Sequence, residues 1–482
     1  MKFSKTVVSV ALAFSAWPAL AAPNNDTLRA ELSQLVQRLN QQEAANQQLQ
    51  ARLTEVEEEE KEEREEKEEK EEAMASRLED MEIELLSLRK QARAIETVEG
   101  ISAGAAMTML AQDALTGETN ESDSQLNYRA DISVNLPGGE IGDAEGHLFA
   151  QFRLGQGEGL SFTRPGFSST PSSTAFQLTE GEDAAAILAQ AWYQLDVPLN
   201  GTREDASQHL EINFGKIDSF VFFDQNTVAD DESSRFLNNA FVHNPLLDSS
   251  GAAGVDAYGF SPGARLAYHV DGTAGDGWRV SLGAFGAGEG ASFKDSFSQP
   301  FVIGQLESGH QYLNGPAGTF CVYAWTNGSA TPYANAADSG TERQSGWGLS
   351  VDQQVTETLT LFARYGHATQ GKVRFNRAAT AGMELNGAAW GRDTDRLGLA
   401  GGWLSASNGF QADAPTLDAD GADGPDFGYA PSGAELLAEL YYAWHVNDRL
   451  ELTPDLQWIA RPGANGAAED ITVLGLRATM GF

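Results

Sequence analysis

LNYRADISVNL, residues 126–136, alternates apolar and polar side chains without a break. Leu126, Tyr128, Ala130, Ile132, Val134 and Leu136 share one side, while Asn127, Arg129, Asp131, Ser133 and Asn135 share the other. Side chains along a strand point alternately to its two faces, so this stretch reads as a strand with one apolar and one charged face. The same beat runs through His147–Leu154 and Ala189–Val197. It returns near 264–270, 278–285, 345–353, 359–367, 395–403, 436–446, 450–461 and 471–482. Weaker runs near 98–109, 209–214, 300–310, 319–325 and 380–390 bring the expected total to about sixteen strands.

Strands of about ten residues with polar loops between them predict an all-β fold, an antiparallel transmembrane β-barrel over 98–482. A soluble antiparallel sandwich also alternates, but three features oppose it. The strands are too many for one sandwich. The apolar side often ends in aromatics (Tyr128, Tyr193, Trp347, Tyr365, Trp403, Tyr442, Trp444, Trp458), as interface girdles require. The last run, Ile471–Phe482, closes its apolar set on a terminal phenylalanine. That ending resembles the insertion signal of bacterial outer-membrane proteins, which places the barrel in outer-membrane lipid.

With the apolar side in lipid, the other side lines a lumen. Asp131, Asp196, Glu211, Asp352, Glu435 and Glu451 all fall there, with Phe149, Phe285 and Tyr441. So do the residues read as the lumen wall: Arg129, Arg153, Trp192, Arg265, Arg279, Phe362, Arg364, Arg396, Glu439, Asp455, Arg461 and Arg477. A charge on the lipid face at mid-bilayer costs roughly 2–4 kcal/mol, so the one-sided placement is required whatever the ligand. Most of these charges are expected to pair across neighbouring strands. Guanidinium and carboxylate groups each hold pairs of vicinal hydroxyls, and aromatic faces cover the apolar side of a pyranose. The mixture therefore suits carbohydrate solutes.

Gly215–Pro245, GKIDSFVFFDQNTVADDESSRFLNNAFVHNP, interrupts the pattern. Charges and amides crowd together there, interleaved with Phe220, Phe222, Phe223, Phe236 and Phe241. Alone it reads as a capped surface helix, with Asp230 as cap and Phe236, Leu237, Ala240 and Phe241 as an apolar stripe. Inside a barrel it is better placed as an inward-folded constriction whose polar side meets the solute. The candidate contacts are Phe222, Phe223, Asp224, Asn226, Asp230, Glu232, Arg235 and Asn238.

The N-terminal fifth is different in kind. Lys2 and Lys5 precede an apolar run, and Ala19-Leu20-Ala21 follows as a small-x-small site, so residues 1–21 read as a secretory signal peptide. Over 22–97, Leu28, Leu32, Leu35, Leu39, Gln42, Asn46, Leu49, Leu53 and Val56 form a coiled-coil seam. Glu57–Glu72 then carries Lys61, Arg64, Lys67 and Lys70, each four residues after a glutamate, in the orientation that supports a lone helix. Apolar steps resume from Met74 to Ile95. A continuous helix of this length reaches on the order of 100 Å. A parallel oligomer, trimer or dimer, is expected, with peptidoglycan or a periplasmic protein as a further partner.

Other classes of function fail on composition. The chain carries 69 acidic and 32 basic residues, net charge −37, which argues against nucleic acid. Cys321 is alone, so no internal disulfide forms. The histidines give no metal-ligand spacing, and no GxSxG elbow or phosphate-binding loop is present, so neither an enzyme nor a cofactor or metal is expected. Residues 418–426, rich in aspartate, have a weak calcium-like spacing without the closing glutamate and read as a solvated loop.

Gly215–Pro245 together with Ala434–Phe482 (AELLAELYYAWHVNDRLELTPDLQWIARPG, then ITVLGLRATMGF) resembles the carbohydrate-selective porin (OprB) family of Gram-negative bacteria. The resemblance covers essentially the whole barrel. It implies sixteen strands, a homotrimer, passive passage of mono- or oligosaccharides, and an inward fold of Gly215–Pro245 that narrows the pore. The long glutamate-rich helix departs from shorter members. Two other functions compete: a general or ion-preferring porin, and a structural tether joining the outer membrane to the cell wall through the coiled coil.

Overall fold

The computed structural model describes residues 101–481, apart from 117–123, 158, 161–169, 173, 175–183, 203–204, 248–252, 254, 257, 273–276, 312–316, 335–339, 420 and 422–423. The signal peptide, the coiled coil, part of the aspartate-rich loop and Phe482 lie outside the described residues.

Sixteen strands follow in order: β1 Ser102–Thr116, β2 Ser124–Ile141, β3 Ala144–Gln156, β4 Ala185–Pro198 and β5 Gln208–Ile217. After a long insert come β6 Ser261–Asp271, β7 Gly277–Phe285, β8 Phe301–Gln311, β9 Ala317–Ala330, β10 Glu342–Gln354 and β11 Leu359–Gln370. The last five are β12 Phe375–Asn386, β13 Arg396–Ala406, β14 Ala434–His445, β15 Leu450–Ala460 and β16 Ile471–Gly481. Each pairs antiparallel with its sequence neighbours, and β1 closes the ring on β16. Met107 lies opposite Ala130 on one side and Met480 on the other. Closure is what lipid demands, because an open edge would leave backbone N–H and C=O groups unpaired in hydrocarbon.

The alternation read from the sequence sets which face is which. Leu126, Phe152, Phe214, Leu282, Leu399 and Leu476 are exposed on the outside, with Trp403, Trp444 and Trp458 among the outer aromatics. Asn127, Arg129, Asn213, Arg265, Gln305, Arg364, Gln457 and Arg477 are buried on the inside. Connections such as 142–143, 355–358 and 446–449 are short at one end. At the other end the chain runs through long connections at 218–260 and 407–433. Barrels of this type keep their short turns in the periplasm.

The apolar core sits inside the barrel, between the wall and the insert. Phe236 packs against Phe241 and Phe362 at ring separations of 5.6 Å each, and against Tyr441 at 4.9 Å. A second cluster joins Phe222, Phe223 and Leu247 of the insert to Phe285, Phe301, Tyr323 and Trp325 of the wall. Glycines make room for this. A Cβ at Gly366 would lie 2.5 Å from the Asn244 amide, and one at Gly398 would lie 2.1 Å from the Tyr441 ring.

Three expectations are corrected. The insert runs from Asp218 to Phe260, longer than Gly215–Pro245, and Gly215–Ile217 belong to β5. Its described residues form no extended helix capped by Asp230. A 3-10 turn at Ser219–Val221 is capped by Asp218, and a single helical turn at Asn239–Val242 is capped by Asn238. The reason lies in the wall, whose side chains accept from the insert's backbone: Gln305 from Asp224 N, Asp352 from Thr227 N, and Glu439 from Leu237 N and Asn238 N. Buried N–H groups satisfied in this way have no need of a helix. Third, Arg461 lies one residue past β15 in a left-handed turn (φ 51°), so it leaves the strand wall.

Candidate functional site

The insert is fastened in turn to every strand from β8 to β16. Asp224 is fully buried with positive φ (56°), a conformation that non-glycine residues hold only under strong constraint. The constraint is visible. Gln305 of β8 accepts from its N–H, and Tyr323 of β9 donates to Oδ1 at 2.8 Å. Asn244 N donates to Oδ2 at 2.6 Å, and Arg364 Nε of β11 lies 3.3 Å from that oxygen. Arg364 also donates to the carbonyls of Phe241 and Asp224, at 2.8 and 3.0 Å.

The fastening continues around the ring. Asn226 donates to Ser350 and the Val351 carbonyl on β10. Arg235 meets Glu384 on β12 at 3.2 Å, and Arg396 on β13 donates to the Ser234 carbonyl. Glu439 on β14 and Gln457 on β15 hold Asn238, and Arg477 on β16 donates to the Glu232 and Arg235 carbonyls. Glu232 then crosses to β2, where Arg129 Nη1 donates to it at 2.6 Å. A further inward segment helps close the same side. Gln112 of β1 and Gln457 both donate to the Pro171 carbonyl, and Thr174 donates to Asn127.

Among the described residues a cavity of about 470 Å³ lies open against β1–β4. Its wall side is Thr108, Arg129, Asp131, Gln151, Arg153 and Gln190. Its insert side includes Asp218, Phe220, Asp230, Asp231, Glu232 and His243, with Tyr258 near the insert's end. The wall charges are cross-linked. Arg129 and Arg153 both donate to Asp131, at 2.9 and 2.6 Å, and Arg129 also reaches Glu232. Arg265 stands beside this region, bonded to Glu211 and Asn213, with its guanidinium 4.5 Å above the Phe222 ring.

Burial sorts the insert's titratable groups. It pushes Asp230 up to about 6 against the pull of Arg235, and Asp218 up to about 6 against its hydrogen bond from Phe220 N. Asp231 is held below the usual carboxylate range: burial opposes its charge, and hydrogen bonds from Ser233 and Ser234 outweigh it. Burial, helped by Arg364, pushes His243 down to about 3, so its ring is neutral where it stacks on Phe220 at 4.0 Å.

The predicted residues therefore separate into two groups. Arg129, Arg153, Asp230 and Glu232 border the cavity. Asp224, Asn226, Arg235, Asn238, Arg364, Arg396, Glu439 and Arg477 face the lumen side as expected but are used to hold the insert, and Asp455 bonds to Gln457 behind it. Phe223 packs edge-on to Phe285, Phe362 lies under Phe236, and Arg279 pairs with Glu307. Trp192 contacts Phe149 and Phe222 next to the cavity. Gln151, Gln190, Asp218, Phe220, His243 and Tyr258 were missing from the predicted set. The two glutamines carry the same inward alternation as Arg153 and Trp192. Among the described residues no group of histidine, cysteine, aspartate and glutamate is arranged to hold a metal.

A closed sixteen-stranded barrel with its lumen narrowed by an inward insert is a porin's architecture, and the family of carbohydrate-selective porins, OprB family, matches residues 147–482. The chain belongs to that family. This porin shares its fold with the high-pH structure of Pseudomonas putida OprB, at 19% identity and a TM-score of 0.63, over 80% of this chain and 94% of that one. The outer-membrane channel DcaP of Acinetobacter baumannii matches at 12% identity and a TM-score of 0.46, over 79% of this chain and 97% of that one. No curated protein matches the chain. As a member of this family the porin passes carbohydrates across the outer membrane.

Proposed function

We propose that sugars cross this porin passively through the cavity against β1–β4, with Arg129, Arg153, Asp230 and Glu232 as their polar contacts. One observation carries the reading. Both of the cavity's arginines are already paired with cavity carboxylates, so the opening presents donors and acceptors side by side. A hydroxylated neutral solute exchanges hydrogen bonds with such a ring, whereas a small ion must be stripped of water beside charges that are already satisfied. Liposome swelling with the purified chain tests it. Sugars should enter faster than amino acids of equal size, and equal rates would sink the selectivity.

The barrel is proposed to be a homotrimer, surrounded by outer-membrane lipid and exported by residues 1–21. Residues 22–97 are proposed to form a periplasmic coiled coil that joins the three chains and reaches toward peptidoglycan or a periplasmic partner. The leucine heptad and the i,i+4 Glu–Lys pairs support this. No catalytic role is proposed.

A further inference from the structure

Phe149 and Trp192 face the lumen on β3 and β4, each two residues along its strand from Gln151 or Gln190, which border the cavity. Two residues of strand span about 7 Å, so the aromatic pair lies directly beside the cavity toward the short-turn end. The two rings stack at 4.8 Å and 29°. Phe222 backs the pair from below, edge-on to Trp192 at 5.6 Å and itself buried under the Arg265 guanidinium. A polar fringe borders it: Trp192 Nε1 donates to Gln190 Oε1 at 3.2 Å, and Gln190 donates to Gln151 at 2.7 Å. Phe223, Phe236, Phe241 and Phe285 are fully closed off by packing, but Phe149 and Trp192 remain half-buried.

We propose that the Phe149–Trp192 strip is a second sugar station, taking one pyranose ring while the charged cavity holds the next, so this porin favours solutes of at least two linked rings. The proposal rests on the reading that sugars cross through the cavity. A pyranose carries an apolar C–H face and a rim of hydroxyls. A stacked aromatic pair edged by glutamine amides offers both partners in the matching order. Two rings joined covalently bind as one event, because the first fixes a high effective concentration of the second. A lone ring reaches one station at a time.

The full chain in planar bilayers, with ion current titrated by glucose and by maltose, tests this. Maltose should half-block the wild type at a concentration at least about tenfold below that of glucose. In Trp192→Ala and Phe149→Ala the two sugars should come within about twofold through loss of maltose block, and Trp192→Phe should keep most of the maltose gain. Retention of the heat-modifiable folded band on unheated gels reports that each variant is folded. Equal block by the two sugars in wild type, or a maltose gain that survives Trp192→Ala, overturns the second station. If glucose neither blocks the current nor swells liposomes, the underlying reading of the cavity fails instead, and the two failures are separable.

Discussion

Arg364 shows what one residue does in this pore. Its guanidinium spans the Asp224 carboxylate and two insert carbonyls, and both members of the pair are fully enclosed. Removing one partner of a buried ion pair leaves the other charge unpaired and costs roughly 3–5 kcal/mol. Arg364→Ala should therefore release the front of the insert, raising single-channel conductance and lowering melting temperature together. Asp230 acts differently, through charge at the opening. Burial lifts it to about 6, so it is ionised above that pH and neutral below it, and Asp218 follows the same window. Preference for cations over anions, read as reversal potential in a salt gradient, should fall as pH drops from 7 to 5. Asp230→Asn should shrink that swing and leave the residual part owed to Asp218.

At the scale of the element, the insert was the least legible part of the chain. The strands were readable because period two is enforced by lipid on one side and by the buried polar wall on the other. All sixteen runs found in the sequence became strands, though their ends moved by several residues. The insert has no such external constraint. Phe236, Leu237, Ala240 and Phe241 have helical spacing, yet the N–H groups of Leu237 and Asn238 bond to Glu439 on β14, some 200 residues away in sequence, and Phe236 packs on Phe362 and Tyr441 of the wall. Spacing within a segment carries no information about such partners. The same blindness explains the site list. Asp224 and Asn238 are polar and interior, as expected, but what they bond to is the wall. Arg461 looked like the next inward residue of β15, and the strand had already ended in a left-handed turn. Replacing 219–259 with a short flexible linker should keep the barrel, because every strand pair stays intact. Conductance should rise several-fold and sugars should lose their advantage over amino acids in liposome swelling.

For the whole molecule, we propose separate duties for the barrel and for residues 22–97. Among the described residues the barrel closes on itself between β1 and β16, and all sixteen of its strands lie within 101–481. Deleting residues 26–97 while keeping the signal sequence should therefore leave sugar permeation per folded barrel unchanged. Crosslinking should show whether trimers persist, and sensitivity of the envelope to detergent should report any tether. Intact permeation with a weakened envelope would favour the tether, whereas loss of assembled protein alone would make residues 22–97 an assembly device.

The ring of bonds from Asp224 round to Glu232 has a mechanical meaning as well. A bare barrel is a hoop, and a hoop in a stretched or thinned bilayer flattens toward an ellipse. Here struts run from the insert to β8 through β16 and on to β2, so the hoop is braced across its width like a spoked wheel. The aperture is then set by the spokes and not by the surrounding lipid. Conductance should stay constant when the porin is moved between bilayers of different thickness, and that constancy should vanish in the chain whose spokes have been cut.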